Sequence, residues 1–268
     1  VRVVVHMSDL HFGRVHRPLL EPLVRAVREI GPDVVAVSGD LTQRARRSEF
    51  KEAQSFLSSL PGPGIVVPGN HDIPLHNPVL RFFFPLARFR RYITRDLAPL
   101  YADDEIAVLG ANTARALVAR GGRINIAQVQ GICRSFSEFE EQQMKVLVTH
   151  HPFDLPEGFS NIHLVGRSRM AMESFARCGA DLFLSGHLHI ARAGNTTRYQ
   201  IHGFTALVVH AGTVISTRQR GELNSFNLIR ITPPRIAVET HTWQSDSLRF
   251  ACSQVTCFER SGAEWMPV

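Results

Sequence analysis

Gly69-Asn70-His71-Asp72 follows the apolar run Ile65-Val66-Val67, with only Pro68 between them. The run reads as a buried strand, and a glycine at its end permits a turn that most residues cannot make. The turn presents an amide oxygen, an imidazole and a carboxylate side by side. The same device recurs along the chain. Asp9-Leu10-His11 follows Val3-Val4-Val5, and Gly39-Asp40 follows Val34-Val35-Ala36-Val37. Thr149-His150-His151 follows Val146-Leu147-Val148, and Gly186-His187-Leu188-His189 follows Leu182-Phe183-Leu184. Five strands each end in side chains that can ligate a metal.

In open α/β sheets, ligands bind outside the carboxyl ends of the strands. Strands finishing in Asp, Asn or His would focus those groups on one pocket. The set is Asp9, His11, Asp40, Asn70, His150, His187 and His189. Seven ligands exceed what one tetrahedral or octahedral ion needs. With one carboxylate bridging, they suit two divalent ions with positions left open for water and substrate. Imidazoles mixed with carboxylates favour Mn, Fe, Zn or Co over Mg or Ca.

The blocks D-x-H, G-D, G-N-H-D, H and G-H-x-H, in this order from Asp9 to His189, resemble the calcineurin-like metallophosphoesterase superfamily. Ser8-Asp9-Leu10-His11-Phe12-Gly13, Gly39-Asp40-Leu41-Thr42 and the His150-His151-Pro152 block look most like the bacterial class III cyclic-nucleotide phosphodiesterases. The resemblance implies a four-layer α/β/β/α sandwich. It implies that Asp9, His11 and His189 hold one metal, that Asn70, His150 and His187 hold the other, and that Asp40 bridges them. It makes His71 the phosphate-contacting residue and the acid for the leaving oxygen, a role that suits imidazole near neutral pH. Asp72 is expected either to orient His71 or to brace the turn. His151 is expected to point away from His150 on an extended chain. His6, His16, His76, His163, His202, His210 and His241 lie outside any block and read as surface or core residues.

The implied activity is a phosphoric diester hydrolase in which a hydroxide on a dinuclear metal centre attacks a phosphodiester. A nucleotide-linked lipid pyrophosphatase is the enzyme alternative, and a metal-binding scaffold the non-enzyme one. The substrate class is a small phosphodiester or nucleotide-like molecule, with a lipid-like substrate or a peripheral membrane contact as a further possibility.

Around these blocks the chain alternates. Leu19, Leu23, Val27 and Ile30 recur at helical spacing in 18–30, and Gly31-Pro32 stops that helix. A second helix is expected over 48–60, giving β-α-β-α-β with parallel strands. Residues 75–101 break the alternation. Phe82-Phe83-Phe84, Phe89 and Tyr92 are interspersed there with Arg81, Arg88, Arg90, Arg91 and Arg95. This segment reads as a helical cap inserted in a single metallophosphoesterase domain of 1–268, or as an ordinary amphipathic hairpin packed on the sheet edge. Helices are expected over 127–143 and 169–178. After His189, Tyr199-Gln200-Ile201, 206–210, 225–231 and 236–243 read as short strands of a mostly antiparallel second sheet. Two packed sheets flanked by helices, an α/β architecture with the ligands at one rim, accommodate all of this.

Composition adds bounds. The 268 residues are 44% hydrophobic, enough for a sizeable core. Net charge is +6, carried almost wholly by arginine, since only Lys51 and Lys145 are lysines. A mild positive field attracts anionic substrates. No basic stripe with interleaved aromatics marks a dedicated nucleic-acid module. No apolar run reaches the length of a membrane span, and the first strand already carries ligands, so a cytoplasmic location is expected. On that expectation Cys133, Cys178, Cys252 and Cys257 are read as reduced thiols, the last two close together in a terminal hairpin.

Overall fold

The computed structural model describes residues 1–118, 121–199, 201–202, 204–218, 221–262 and 264–268. The chain opens as expected, with β1 (Arg2–Met7), α1 (Leu20–Ile30), β2 (Val34–Val37), α2 (Arg47–Leu57) and β3 (Gly64–Val66). The three strands run parallel, Val4 opposite Val34 and Val35 opposite Gly64. Gly31 closes α1 in the left-handed region (φ +60°), its N–H returning to Val27 O at 3.2 Å.

The middle of the chain supplies α3 (Pro78–Phe83), α4 (Ala87–Tyr92), β4 (Leu100–Ala102), β5 (Ile106–Gly110), α5 (Ile126–Ser137), β6 (Met144–Val148), α6 (Ser168–Arg177), β7 (Leu182–Ser185), β8 (Arg192–Asn195) and β9 (Leu207–His210). The end supplies β10 (Ser225–Thr232), β11 (Arg235–Gln244), β12 (Arg249–Ser261) and β13 (Glu264–Pro267).

These strands form two mixed sheets, ordered β13-β12-β11-β10-β1-β2-β3 and β4-β5-β6-β7-β9-β8. Val4, Val34, Ala36, Val146, Val148 and Leu184 fill the space between them. Val5, Val35 and Val37 instead face outward, onto Leu23, Phe50 and Phe89 of the helices covering the first sheet. Leu147 and Phe183 face Phe136 and Phe175 of α5 and α6 over the second. Alternate residues of each strand therefore enter different cores, which is why the strands read as unbroken apolar runs. The result is the four-layer α/β/β/α sandwich.

Three expectations are corrected. The C-terminal strands do not make a sheet of their own. β10 pairs antiparallel with β1 and carries β11–β13 onto the first sheet, while β9 runs parallel to β7 in the second. Strand pairing is decided by contacts between residues far apart in the chain, such as Arg2 with Ile231, which local periodicity does not encode. Tyr199 and Ile201 lie outside any strand, and Gln200 lies outside the described residues. Cys133 and Cys178 are joined as a disulfide, with Cα atoms 5.3 Å apart, because α5 and α6 pack side by side. Cys252 and Cys257 are free and sit along one strand, β12.

Residues 75–101 divide in two. Phe89 is buried among the helices of the first sheet, and Tyr92 stacks on Phe50 with ring centroids 6.3 Å apart. Phe82, Phe83 and Phe84 are exposed. No helix among the described residues is long and apolar enough to cross a membrane.

Candidate metal centre

The seven side chains quoted from the strand ends meet at one rim of the sandwich. Asp9 and His11 leave β1, Asp40 leaves β2 and Asn70 follows β3. His150 follows β6, while His187 and His189 follow β7. The backbone there is unusual. Among the described residues eight non-glycine residues have positive φ, and five are Asp9 (54°), His11 (49°), Asp40 (52°), His187 (69°) and His189 (60°). Such conformations cost free energy and persist where the surrounding structure imposes them, characteristically at functional sites.

Crowding explains two of the glycines. A Cβ on Gly69 would fall on the backbone and carboxylate of Asp40, and one on Gly186 would meet Ser8 Oγ and Asp9 Oδ2. The strand ends approach so closely that only hydrogen fits.

The ligating atoms gather in overlapping groups, each within 4.8 Å: Asp9, His11 and His189; Asp9, Asp40 and His150; His150, His151 and His187; and His11, Asp40 and His71. Asp40 lies between the first and third. Its Oδ1 is 3.4 Å from His150 Nε2 and its Oδ2 is 3.8 Å from His11 Nε2. One carboxylate oxygen faces each group, the disposition a bridging ligand needs. Asn70 Oδ1 lies 3.2 Å from His150 Nε2.

The far side of each ring shows whether the donor set fits a cation. His150 Nδ1 is 2.8 Å from Ser38 O, and His189 Nδ1 is 3.0 Å from Arg218 O and 2.9 Å from Thr213 Oγ1. A backbone carbonyl can only accept, so in the neutral rings the proton sits on Nδ1 and the Nε2 lone pair is the one that faces the centre. Buried carboxylates, lone-pair-bearing imidazoles and one amide oxygen aimed at a common point fit a pair of divalent ions.

The electrostatics agree. Burial pushes the Asp9 carboxyl up, but the neighbouring His189 and His11 hold it well below the usual carboxylate range. Asp40 is likewise held below that range, against burial, by His150, His71 and His11. Burial lowers His150, yet the charge of Asp40 and its hydrogen bond reverse this and raise it to about 9. His187 is lowered to about 3 by burial and by the charge of His150, and His11 is lowered chiefly by burial.

His71 sits beside these groups, its ring centroid 4.9 Å from that of His11. Its backbone N–H donates to Asp40 Oδ1 at 2.8 Å, and its Nδ1 lies 2.9 Å from Gln43 O. The orienting partner of the ring is thus Gln43 rather than Asp72. The Asp72 carboxylate instead braces the turn, accepting from Leu41 N–H (3.2 Å), Thr42 N–H (2.9 Å), Thr42 Oγ1 (2.9 Å) and Gly69 N–H (2.9 Å). Burial and the nearby Asp40 charge raise this carboxyl to about 6.

His151 does not point away. β6 ends at Val148 and the chain then turns, with Thr149 Oγ1 donating to His151 O at 3.0 Å, so strand alternation no longer applies. The His151 ring lies 4.7 Å from that of His150 and 4.8 Å from that of His187, and its Nδ1 is 2.9 Å from Thr113 Oγ1.

Several residues at the site carry no motif in the sequence. Arg218 Nη1 is 3.0 Å from His71 Nε2. His163 Nδ1 is 3.2 Å from His187 Nε2, although its position suggested a surface or core histidine. His6 and His210 form a buried layer beneath the rim, bonded to Ser38 Oγ and Ser185 Oγ at 2.9 Å each and lowered by burial to about 3 and about 4. Ser38 could have been suspected from its place beside Gly39-Asp40. Nothing near Arg218 in the sequence points to the centre.

A dimetal phosphatase from Danio rerio superposes with a TM-score of 0.67 over 94% of this chain and 98% of that one, at 13% identity. Purple acid phosphatase PPD1 from yellow lupin seeds superposes with a TM-score of 0.67 over 97% of this chain and 54% of that one, at 11% identity. At such identities the likeness is one of fold, the two-sheet sandwich flanked by helices. The sequence reaches further. The profile of the calcineurin-like phosphoesterases matches residues 2–191, and the chain belongs to that family. The metallophosphoesterase-like protein F40B5.2 of Caenorhabditis elegans is 26% identical over 190 residues, 68% of this chain and 35% of that protein. The glycerophosphodiester phosphodiesterase GpdQ of Enterobacter lignolyticus (strain SCF1) is 32% identical over 82 residues, 26% of this chain and 29% of that protein. The matches thus span about a third of the length of these curated relatives.

Proposed function

We propose that this chain is a phosphodiesterase in which a water-derived nucleophile attacks phosphorus directly, with no covalent enzyme intermediate. The observation that carries the reading is Asp40, one oxygen facing each of two ligand groups, with His71 held against it. Asp9, His11 and His189 would hold one divalent ion, Asn70, His150 and His187 the other, and Asp40 both. His151 is a further neighbour of the second group. Mn, Fe, Zn or Co suits these donors. Bound there, such a pair supplies Lewis acidity, acidifying water to a nucleophile near neutral pH and neutralising phosphoryl charge.

The protein's own groups do the rest. Gln43 O accepts from His71 Nδ1 and fixes the ring so that Nε2 faces the centre. With a proton taken up from solvent on Nε2, the imidazolium contacts the phosphate and delivers that proton to the leaving oxygen. Arg218, 3.0 Å from that Nε2, offers a planar fork to a phosphoryl oxygen. The stretch shared with a glycerophosphodiester phosphodiesterase supports a diester substrate. A second reading, hydrolysis of a nucleotide-linked lipid pyrophosphate, is favoured by the exposed Phe82–Phe84, of which Phe83 and Phe84 line a groove reaching Ile73, next to Asp72.

The deciding measurement is hydrolysis of bis-p-nitrophenyl phosphate by Mn-loaded protein, with metal analysis alongside. About two ions per chain are expected, and Asp40→Ala should lose both ions and turnover. One tightly held ion, unchanged in Asp40→Ala, would overturn the assignment. Full metal loading without hydrolysis would favour the scaffold reading.

A further inference from the structure

Three consecutive phenylalanines face solvent, and two of them, Phe83 and Phe84, share a groove with Ile73, the residue after Asp72. Phe82, Phe83 and Phe84 are 54%, 74% and 59% exposed, and Leu75 and Val79 beside them are also exposed. Val79, Phe82 and Phe83 share one side of α3 by their spacing of three and four residues. The helix does not need these side chains to form. Pro78 opens it, and Asn77 Oδ1 caps it by accepting from Leu80 N–H at 2.9 Å. Contiguous exposed apolar surface of this kind marks an interaction site.

Arg90 lines one groove with Phe83 and Phe84, and the segment that carries them is strongly basic. Residues 75–101 hold five arginines, Arg81, Arg88, Arg90, Arg91 and Arg95, against one acid, Asp96. A two-fold dimer through this face would set two such basic patches against each other, because an isologous interface pairs a surface with itself. An anionic bilayer complements both features, taking aromatic side chains at its interface and attracting arginine to its surface.

We infer that α3 and the turn after it form a docking surface for an anionic membrane. The surface is rigidly tied to the metal centre. Phe89 anchors α4 in the core, and Arg88 Nη1 donates to Ala45 O at 2.6 Å. Ala45 N–H in turn donates to Thr42 Oγ1 at 3.1 Å, and Thr42 bonds to Asp72 and to His71 O. A groove of about 450 Å³, lined by Phe83, Phe84, Leu86, Ala114 and Ile73, runs from the patch toward the residue following Asp72. On the phosphodiesterase reading, the corollary is an amphiphilic diester whose apolar part lies in this groove.

The test is co-sedimentation of the metal-loaded chain with vesicles of phosphatidylcholine alone and of phosphatidylcholine mixed with phosphatidylglycerol. The protein should pellet with the anionic vesicles and not the neutral ones. Exchanging Arg90 or Arg91 for Gln should weaken binding roughly fivefold each, the effect of about 1 kcal/mol per surface cation. The triple variant Phe82→Ser, Phe83→Ser, Phe84→Ser should lose vesicle binding while keeping the wild-type Tm and metal content, since all three side chains are exposed. Phe83→Trp should show a blue-shifted emission quenched by brominated lipid. A wild type that stays in the supernatant, or a triple variant that still pellets, overturns the inference. So does a wild-type dimer that the triple variant dissolves, which would make a second copy the occupant. Vesicle binding without any diester hydrolysis would instead sink the catalytic reading and leave the docking surface standing.

Discussion

Raising the pH should move metal uptake and metal-free stability in opposite directions, because of His150. The residue is fully buried, its Nε2 is 3.4 Å from Asp40 Oδ1, and its Nδ1 is 2.8 Å from Ser38 O. Burial alone would lower its pKa; Asp40, Asp9 and the Ser38 carbonyl together raise it from 6.5 to about 9. A cation needs the Nε2 lone pair, so uptake must expel this proton. Near pH 7 the two-unit gap makes apparent affinity about 100-fold weaker than above pH 9, climbing about one decade per pH unit between. His187, lowered to about 3, is already neutral and adds no second proton.

Without metal the sign reverses. A group whose folded pKa is raised contributes stability that is complete below its unfolded value of 6.5 and lost as pH rises through about 9. The loss is about 3 kcal/mol, from a shift of about 2.5 units at 1.36 kcal/mol each. Asp72, raised from 3.8 to about 6, destabilises the metal-free fold as pH rises through a lower window. The buried His6, His187 and His210, lowered to about 3, about 3 and about 4, stabilise it as pH rises through 6.5, so measurements above about pH 8 isolate His150. Chelator competition gives the apparent affinity for Mn, and thermal melts of EDTA-treated and loaded protein give the stabilities. An affinity that stays flat between about pH 7 and 9, or a metal-free Tm that rises between about pH 8 and 9, refutes the reasoning.

Two further substitutions separate chemistry from scaffolding. His71→Ala should keep its metals and lose roughly 10²–10⁴ in turnover, less on esters with good leaving groups, since these need little protonation; an equal loss on p-nitrophenyl and alkyl esters would leave the ring an orienting role alone. Asp72→Asn turns an amide N–H₂ toward the buried N–H groups of Leu41 and Gly69. Two stranded donors at about 1–3 kcal/mol each predict a loss of about 2–6 kcal/mol, read as a Tm lower by several degrees. An unchanged Tm with turnover abolished would give Asp72 a direct part in catalysis.

The strands that carry ligands, and the ligands at their ends, were legible in the chain alone. Apolar runs and the glycines after them are local signals, and Asp9, His11, Asp40, Asn70, His150, His187 and His189 meet because parallel strands must end at one rim. The parallel pairing of β1, β2 and β3 was legible from the alternation of strand and helix, whereas that of β5, β6, β7 and β9 was not. Tertiary structure alone decided the rest. Arg218 reaches His71 across 147 positions of sequence, and β10 joins β1 rather than starting a sheet. His151 turned inward because a loop replaced the strand whose alternation would have aimed it outward. Phe82–Phe84 and Phe89 carry the same side chain a few residues apart, yet only Phe89 is buried. Local pattern sets the direction of a side chain relative to its own backbone; whether another segment arrives to meet it is settled by contacts distant in sequence, and those fixed the histidine cluster, the arginine and the exposed aromatic face.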